Sequence, residues 1–307
     1  MSAINNHEGS LIQVENLSKS FNEHLALDNV SFTLEKGEPI ALVGPNGAGK
    51  TTLFSILCGY LSPSSGSVKI AGANAGHSSL FGRLAALPQD AQFDPSFTIA
   101  HQLTFYAQLQ GFSRKNAQKE AHRTLELVGL ADTYKAKPEE LSHGMRKRVA
   151  IAQTLIGSPE IVMLDEATAG LDPINAREVR ELVSTLSSDI TFILSSHDLS
   201  ELERLCSQVL YLEKGKLQQH QSLQNDSEER YLTLRMKQPY DNFVQLIQSI
   251  DNVHKVEQTQ NNEFVITTSK EASENNPLDL QILKLCHPQQ WQYSQLTNGK
   301  TLENRLF

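Results

Sequence analysis

A glycine-rich segment that ends in Lys-Thr could hold phosphate groups. Residues 44–51 read GPNGAGKT and fit the spacing G-x-x-x-x-G-K-[ST]. Such glycines let successive backbone N–H groups turn toward the β- and γ-phosphates of a nucleotide, while Lys50 adds a positive charge there. The Thr51 hydroxyl is a hard oxygen ligand suited to Mg²⁺. The predicted nucleotide ligands of this segment are Gly44, Pro45, Asn46, Gly47, Ala48, Gly49, Lys50, Thr51 and Thr52.

The sequence around this loop predicts the strand and the helix that such a site needs. Residues 40–43 form an apolar run before the loop, and residues 52–57 continue after it with a helical pattern. The N-terminus of that helix would add its own partial positive charge. A chance match of a glycine-rich turn is the alternative, and it would carry weight only if the loop stood alone.

A second apolar run ends in two acids. Residues 161–164 follow Pro159 and run into Asp165 and Glu166, which predicts a buried parallel strand that carries carboxylates to its C-terminal edge. Asp165 could then hold Mg²⁺, and Glu166 could polarise a water lined up on the γ-phosphate. The alternative is a strand followed by a solvated acidic turn, which is a poor explanation downstream of a phosphate loop.

A third motif lies between these two. Residues 141–145 read LSHGM and precede a predicted helix at 146–156, with Ser142 in the capping position. Asp165 follows Ser142 by 23 residues. With this motif and spacing, the chain resembles the ATP-binding cassette (ABC) ATPase family, whose signature LSGGQ stands at the same distance before the acidic strand. The resemblance covers residues 11–217.

The resemblance implies roles for four further residues. Phe21 matches the aromatic that stacks on adenine, and Gln89 matches the glutamine that touches Mg²⁺ and the attacking water. Asp172, at the end of the D-loop sequence AGLD, would reach across a dimer, and His197 would sense the γ-phosphate. Singly, each could be an ordinary core or surface residue. Their common order and spacing favour the family assignment.

The resemblance also implies a second copy of the chain. In the family, the signature caps the γ-phosphate held by the other subunit, so Ser142 and Gly144 would serve a partner's nucleotide. One loop and one signature per chain require two chains arranged head to tail about a two-fold axis. ATP would close this dimer, and hydrolysis would reopen it.

Three positions depart from the family pattern. His143 and Met145 replace a glycine and the glutamine of LSGGQ, whereas Ser142 and Gly144 are retained. The LS-x-GM form and the segment 97–111 resemble the cassettes of ABC-2-type exporters. His101 stands where these exporters usually have a glutamate that contacts the membrane domain.

The composition favours a protein without membrane spans of its own. The 307 residues carry a net charge of −8, no stretch approaches the ~18 apolar residues of a transmembrane helix, and residues 1–10 are polar. Three widely spaced cysteines show no metal-ligand spacing. The basic triplet at 146–148 is interpreted as a solvated helix face, so no nucleic-acid partner is expected. We expect a cytoplasmic protein, peripheral on the cytoplasmic face of the cell (inner) membrane.

Two domains are predicted. Residues 1–220 would form an α/β P-loop NTPase core of the ABC type, a mixed sheet with helices plus a helical subdomain at about 90–158. After a polar stretch at 218–229, residues 221–307 would form a small α+β domain. Its pattern predicts strands at 231–236, 254–258, 264–268 and 291–296 and helices at 243–250, 278–285 and 302–307. This order suggests a ferredoxin-like βαββαβ domain, with a dimerising or regulatory role as our hypothesis.

The resemblance predicts an ATP-binding and ATP-hydrolysing subunit of an ABC transporter. It would power transport, with export preferred, through a separate polytopic transmembrane permease. The alternative is a soluble ABC-type clamp that acts on ribosomes or DNA. Retention of Gln89 and a helical subdomain of transport length favours the transporter.

Overall fold

The computed structural model describes residues 10–196, 202, 205–206, 208–222, 229–260, 262–269 and 277–299. The chain divides into two compact units, at residues 1–223 and 224–307. Each unit has a hydrophobic core of its own.

Among its described residues, the first unit has ten strands, five helices with both ends described and three short 3₁₀ turns. Its strands are β1 (Ser10–Phe21), β2 (His24–Glu35), β3 (Ile40–Val43), β4 (Ser65–Ile70), β5 (Ala73–Asn74), β6 (Leu84–Leu87), β7 (Ile161–Asp165), β8 (Thr191–Ser195), β9 (Gln208–Glu213) and β10 (Lys216–Ser222). Its α-helices are α1 (Lys50–Leu57), α2 (Ile99–Leu109), α3 (Arg114–Leu127), α4 (His143–Thr154) and α5 (Pro173–Leu186). The 3₁₀ turns are Ser78–Leu80, Ala131–Lys135 and Pro138–Glu140.

These strands form two sheets. The first is antiparallel, with the order β2-β1-β4-β5, and the second has the order β10-β9-β3-β8-β7-β6. In the second sheet the strands from β9 to β6 are parallel, and β10 pairs antiparallel with β9. The sheet is therefore mixed, as the sequence predicts.

The parallel strands bring their carboxyl ends to one edge. Every residue of β3, β7 and β8 is buried, as expected for strands covered on both faces. The loop after β3 and the acids at the end of β7 therefore open on the same edge, where ligands bind in open parallel sheets. Buried side chains from both sheets and α1 share one core, including Leu17, Ile40 and Leu53.

Between β6 and β7 the chain forms α2, α3 and α4. Ser113 caps α3, and Ser142 caps α4. The Glu120 carboxylate pairs with Arg123 and accepts the Gly157 N–H at 2.8 Å, which ties α3 to the segment after α4. Arg123 also donates to the Leu155 carbonyl at 2.9 Å. These bonds join the helices into one packed group.

The described residues of the second unit form a four-stranded antiparallel sheet with two helices. Its elements are β11 (Glu229–Met236), α6 (Phe243–Gln248), β12 (Val253–Gln260), β13 (Glu263–Ser269), α7 (Leu278–Cys286) and β14 (Tyr293–Asn298). The sheet order is β12-β13-β11-β14, so the βαββαβ chain has a ferredoxin-like topology. Phe243 and Ile282 from the helices pack on Leu234 and Ile266 of the sheet. The helix predicted at 302–307 lies outside the described residues.

Candidate active site

The glycine-rich loop joins β3 to α1 with a backbone that two glycines make possible. Gly47 and Gly49 have φ values of +81° and +104°, in the left-handed region that favours glycine. A Cβ at Gly49 would lie 2.6 Å from the Ala26 carbonyl oxygen and 2.9 Å from Leu27 Cδ2. The loop therefore packs tightly on β2, and a side chain at Gly49 would push the two apart.

Lys50 is the first residue of α1, and its ammonium lies against the loop. Nζ donates to the carbonyl oxygens of Gly44 at 2.5 Å and Pro45 at 3.2 Å. Burial lowers the pKa of Lys50, while the nearby charges of Glu166 and Asp165 act to raise it. The loop thus holds the Lys50 ammonium close to two acids. A phosphate could replace the two carbonyl oxygens as its hydrogen-bond acceptor, because a hydrogen bond between two charged groups is stronger.

An open cavity of about 300 Å³ gathers most of the predicted site residues. Its lining residues are Phe21, His24, Ala26, Asn46, Gly47, Gly49, Lys50, Thr51, Thr52, Gln89, Asp165 and Glu166. Gly44, Pro45 and Ala48 lie outside this lining, and the Ala48 N–H donates to the Pro45 carbonyl at 3.1 Å. His24 and Ala26 were not predicted from the sequence. They line the cavity because β2 pairs antiparallel with β1.

Phe21 lines this cavity with a partly exposed aromatic ring. It ends β1, pairs with His24 across a tight turn and keeps 45% of its surface exposed. The Lys19 ammonium lies 5.2 Å from the ring centroid. A flat aromatic surface beside a phosphate loop is suited to stacking on a base.

The two acids at the end of β7 are held by β8. Asp165 and Glu166 are both buried, and Asp165 pairs in register with Ser195. The Ser195 hydroxyl donates to Asp165 Oδ1, and its oxygen accepts the Glu166 N–H at 3.1 Å. Glu166 has a φ of +51°, an uncommon conformation for a residue with a side chain. This turn sends consecutive carboxylates into one cavity.

The donor set in the cavity fits a magnesium ion. The Thr51 hydroxyl, the Asp165 carboxylate and the Gln89 side-chain amide all line it. Hard oxygen ligands of this kind are those that Mg²⁺ takes beside substrate phosphates. The residues present therefore suit the metal that the sequence implies.

The basic triplet of α4 is not the solvated face that the sequence suggested. Arg146 donates to the Leu141 carbonyl at 2.8 Å, and Arg148 pairs with Glu178 of α5 at 3.3 Å. Burial lowers the pKa of Lys147, while the charges of Asp165 and other nearby acids act to raise it. All three basic side chains interact with the folded chain because α4 packs against its neighbours. The charge composition of the triplet alone did not indicate these interactions.

Three predicted site residues lie away from the cavity. Ser142 caps α4 by accepting the Met145 N–H at 3.2 Å, and Gly144 is buried in the first turn of that helix. Asp172 caps α5 by accepting the N–H groups of Ile174 and Asn175, each at 3.0 Å. The hydrogen bond from the Asn175 backbone is the first of the causes that lower the pKa of Asp172. Ser142 and Asp172 are exposed, and His197 lies outside the described residues.

A second depression lies beside α2 and is bordered by exposed apolar side chains. Its volume is about 470 Å³, and none of the described residues that line it is Asp, Glu, Lys or Arg. Tyr60, Phe81 and Leu109 line it with 72%, 67% and 59% of their surfaces exposed. We call this depression the α2 groove. Phe97 stacks on His101 at 4.8 Å between ring centroids, beside the start of the same helix. Among the described residues, no helix has the length and apolar character needed to cross a bilayer.

Comparison with known proteins gives consistent matches. Residues 27–169 match the model of a family described as "ABC transporter". An uncharacterized ABC transporter ATP-binding protein, YxlF of Bacillus subtilis, is 34% identical over 76% of this chain and 80% of its own. The Nod factor export ATP-binding protein I of Burkholderia lata is 35% identical over 67% of this chain and 68% of its own.

A solved structure agrees with these relatives. The cbiO1 protein of Clostridium perfringens, part of the ABC transporter complex cbiONQ, superposes with a TM-score of 0.65 and 28% identity. The match covers 70% of this chain and 89% of that one. The α/β P-loop fold class predicted from the sequence is confirmed.

Proposed function

The chain belongs to the ABC transporter ATP-binding proteins, and we propose that it powers export through a separate transmembrane subunit. It is an ATPase that binds nucleotide. The observation that carries the proposal is the single cavity where the phosphate loop, Phe21, Gln89 and the two acids meet. Together, the phosphate loop, the aromatic ring and the two acids can position a nucleotide and stabilise the charge that develops on it.

Within that cavity, we assign the chemistry to five side chains. Lys50 would move its hydrogen bonds from the loop carbonyls to the phosphates of ATP. Glu166 would hold and polarise the attacking water, because its carboxylate lies at the same edge as the loop. Thr51, Gln89 and Asp165 would hold Mg²⁺. That ion, when bound, would neutralise charge on the phosphates.

The positions of Ser142, Gly144 and Asp172 support a dimer of two such chains. They lie outside the cavity of their own chain. The exposed caps of α4 and α5 leave Ser142 and Asp172 accessible to a second copy. A head-to-tail arrangement would place each signature on the partner's nucleotide and give two equal composite sites. ATP would then favour the closed dimer, and loss of the γ-phosphate would favour the open one.

The α2 groove supports a membrane subunit as the partner. Exposed apolar side chains border it, and none of its described lining residues is Asp, Glu, Lys or Arg. Phe105 of α2 is also exposed. We infer that a short segment of the permease docks there and holds the chain on the cytoplasmic face of the membrane. The preference for export rests on relatives such as the Nod factor export protein and on the exporter-like LS-x-GM signature.

Co-purification from membranes tests this function. Tagged protein with Glu166→Gln would be extracted gently in the presence of ATP, and its companions would be identified by mass spectrometry. We expect a polytopic membrane protein. Leu109→Asp should abolish its capture without changing ATP affinity, whereas Leu127→Asp, on exposed α3 surface outside the groove, should not. Ribosomal or DNA-associated companions in its place would overturn the transporter proposal.

For the second unit we propose a role in subunit association or regulation. It has a complete core of its own. Among its described residues, no group of three or more His, Cys, Asp or Glu side chains could hold a metal ion, and none of them lines the cavity at the phosphate loop. Whatever it contributes would therefore act on the ATPase unit rather than on ATP directly.

A further inference from the structure

Helices α4 and α5 begin side by side, and one side chain lies between their first turns. A Cβ built on Gly144 would lie 2.9 Å from Asn175 Cβ and would overlap the Asn175 amide. Glycine is therefore needed at position 144 for a reason inside this chain, separate from any contact with nucleotide. The Asn175 side chain packs directly on the backbone of the LSHGM signature.

The same side chain also holds the D-loop. Asn175 Nδ2 donates to Asp172 Oδ2 at 2.6 Å, while the Asn175 backbone N–H donates to Asp172 Oδ1 at 3.0 Å. Both carboxylate oxygens of Asp172 are thus fixed by one residue. The Asn175 amide cannot move away from Gly144 without breaking its bond to Asp172, because the two contacts use the same planar group.

A second contact joins the helices one turn further on. Arg148 follows Gly144 by one turn of α4, and Glu178 follows Asn175 by one turn of α5. Their side chains pair at 3.3 Å, and the Arg148 side chain is only 19% exposed. Together, the Gly144–Asn175 contact and the Arg148–Glu178 ion pair resist rotation of α4 relative to α5.

We propose that Asn175 is a positioning residue that sets the spacing between the signature turn and the D-loop. It would let Ser142 and Asp172 reach the partner copy's nucleotide site together, so that closure of the dimer is a single event. This inference rests on the proposed function, because it assigns both turns to the second copy's site. It predicts that Asn175 matters for dimer closure and not for binding of ATP to one chain.

The test measures closure and binding separately in the Glu166→Gln protein. ATP-dependent dimerisation is followed by light scattering, and ATP affinity of the single chain is measured by titration of a fluorescent ATP analogue at low protein concentration. Asn175→Ala should weaken ATP-dependent dimerisation about tenfold or more, with nucleotide affinity changed by less than about twofold. In the protein that retains Glu166, the same change should lower kcat with little effect on KM.

Asn175→Asp is the second variant, since it keeps the shape of the side chain. It replaces the donor at Asp172 with a carboxylate, so repulsion should open the contact and weaken dimerisation at least as much as alanine does. Arg177→Ala is the matched control, because Arg177 is exposed on α5 and its ion pair in the described part of the chain is with Glu181, one turn away. It should leave dimerisation unchanged.

Four outcomes decide the matter. Native-like dimerisation and kcat in both Asn175 variants would overturn the inference. A decrease in nucleotide affinity together with a decrease in melting temperature would also overturn it, because that pattern shows a general structural role for Asn175. A selective loss of dimerisation supports it. If the Glu166→Gln protein with native Asn175 does not dimerise on ATP, the proposed dimer mechanism itself fails, which is a distinct result.

Discussion

Among single side chains, Glu166 is the one whose replacement best separates binding from chemistry. Its carboxylate lines the cavity beside Lys50 and Thr51. Glu166→Gln keeps the shape and removes the base, so we expect kcat to fall by about 10²- to 10⁴-fold with ATP affinity retained. Steady-state ATPase assays and nucleotide titrations measure the two effects. Glu181→Gln, exposed on α5, is the control, and a kcat within about threefold of native in Glu166→Gln would contradict the assignment.

Two thiols, the half-buried Cys58 and the buried Cys206, give a prediction about alkaline pH. Burial raises the pKa of Cys58 and of Cys206 to about 12 in each case, with the Asp165 charge as a second cause at Cys58. The unfolded value is about 8.5, so the stability that comes from keeping these thiols neutral is present below that pH and is lost as the pH rises toward 12.

The expected slope is about 1.4 kcal/mol of unfolding free energy per pH unit for each thiol between about pH 9 and 11. Urea denaturation at several pH values measures it. The double variant Cys58→Ala with Cys206→Ala should be less stable at pH 7 and should lose stability less steeply above pH 9. Parallel pH curves for the variant and the native protein would show that the thiols are not responsible.

At the scale of elements, the pairing of β7 with β8 positions both acids. Ser195 donates to Asp165 and accepts from the Glu166 backbone, all within a buried strand end. Ser195→Ala should therefore cost about 1–3 kcal/mol of stability, because it removes a hydrogen-bond donor from the buried Asp165 carboxylate. The Glu166 N–H keeps its second acceptor, the Ser195 backbone carbonyl at 3.2 Å. It should also lower kcat, since the turn at Glu166 loses a support.

Denaturant unfolding and ATPase assays on the same preparation test this role. Ser188→Ala is the control, because that residue is exposed and its hydroxyl donates to the neighbouring Asp189. Unchanged stability and unchanged kcat in Ser195→Ala would mean that register alone, without the hydroxyl, holds the acids.

The parts of the site that sequence predicted are those that depend on local order. The phosphate loop and the acidic strand end are short segments whose chemistry follows from consecutive residues, and the structure places Lys50, Asp165 and Glu166 in one cavity. The strands themselves were visible as apolar runs because both faces of β3 and β7 are buried.

The parts that sequence could not supply depend on register and tertiary packing. The bond from Ser195 to Asp165 exists because two strands align without a shift, which no local pattern specifies. The contact of Asn175 with Gly144 needs the first turns of α4 and α5 to lie side by side, although 31 residues separate them in sequence. The prediction that Lys147 lies on a solvated helix face is wrong for the same reason. A basic triplet in a sequence does not show whether its helix is packed or exposed to solvent.

For the whole molecule, the separate second unit can be tested by removal. The boundary between Leu223 and Gln224 divides two bodies that each have their own core. Deletion of residues 224–307 should leave the ATP affinity of the first unit within about threefold of native, because all the cavity-lining residues precede the boundary. If our proposal for this unit holds, ATP-dependent association or kcat will change. Unaltered association and unaltered kcat would remove that role.

The proposed head-to-tail dimer predicts that two inactive chains restore activity when they are mixed. Lys50→Ala removes the cation of the phosphate loop. Ser142→Asp keeps an effective cap on α4 but places a negative charge where the partner's γ-phosphate would lie. In a mixed dimer, both defects fall in one composite site, and the other site is assembled from native parts.

Mixing equal amounts should therefore restore activity from two nearly inactive preparations. Random pairing gives about half mixed dimers with one intact site each, so we expect up to about a quarter of the native ATPase rate. The double variant Lys50→Ala with Ser142→Asp, mixed with either single variant, is the control, because no native composite site can form. If each chain instead completed its own site, mixing the single variants would restore nothing, and Ser142 would have to reach the cavity of its own chain, from which the structure separates it.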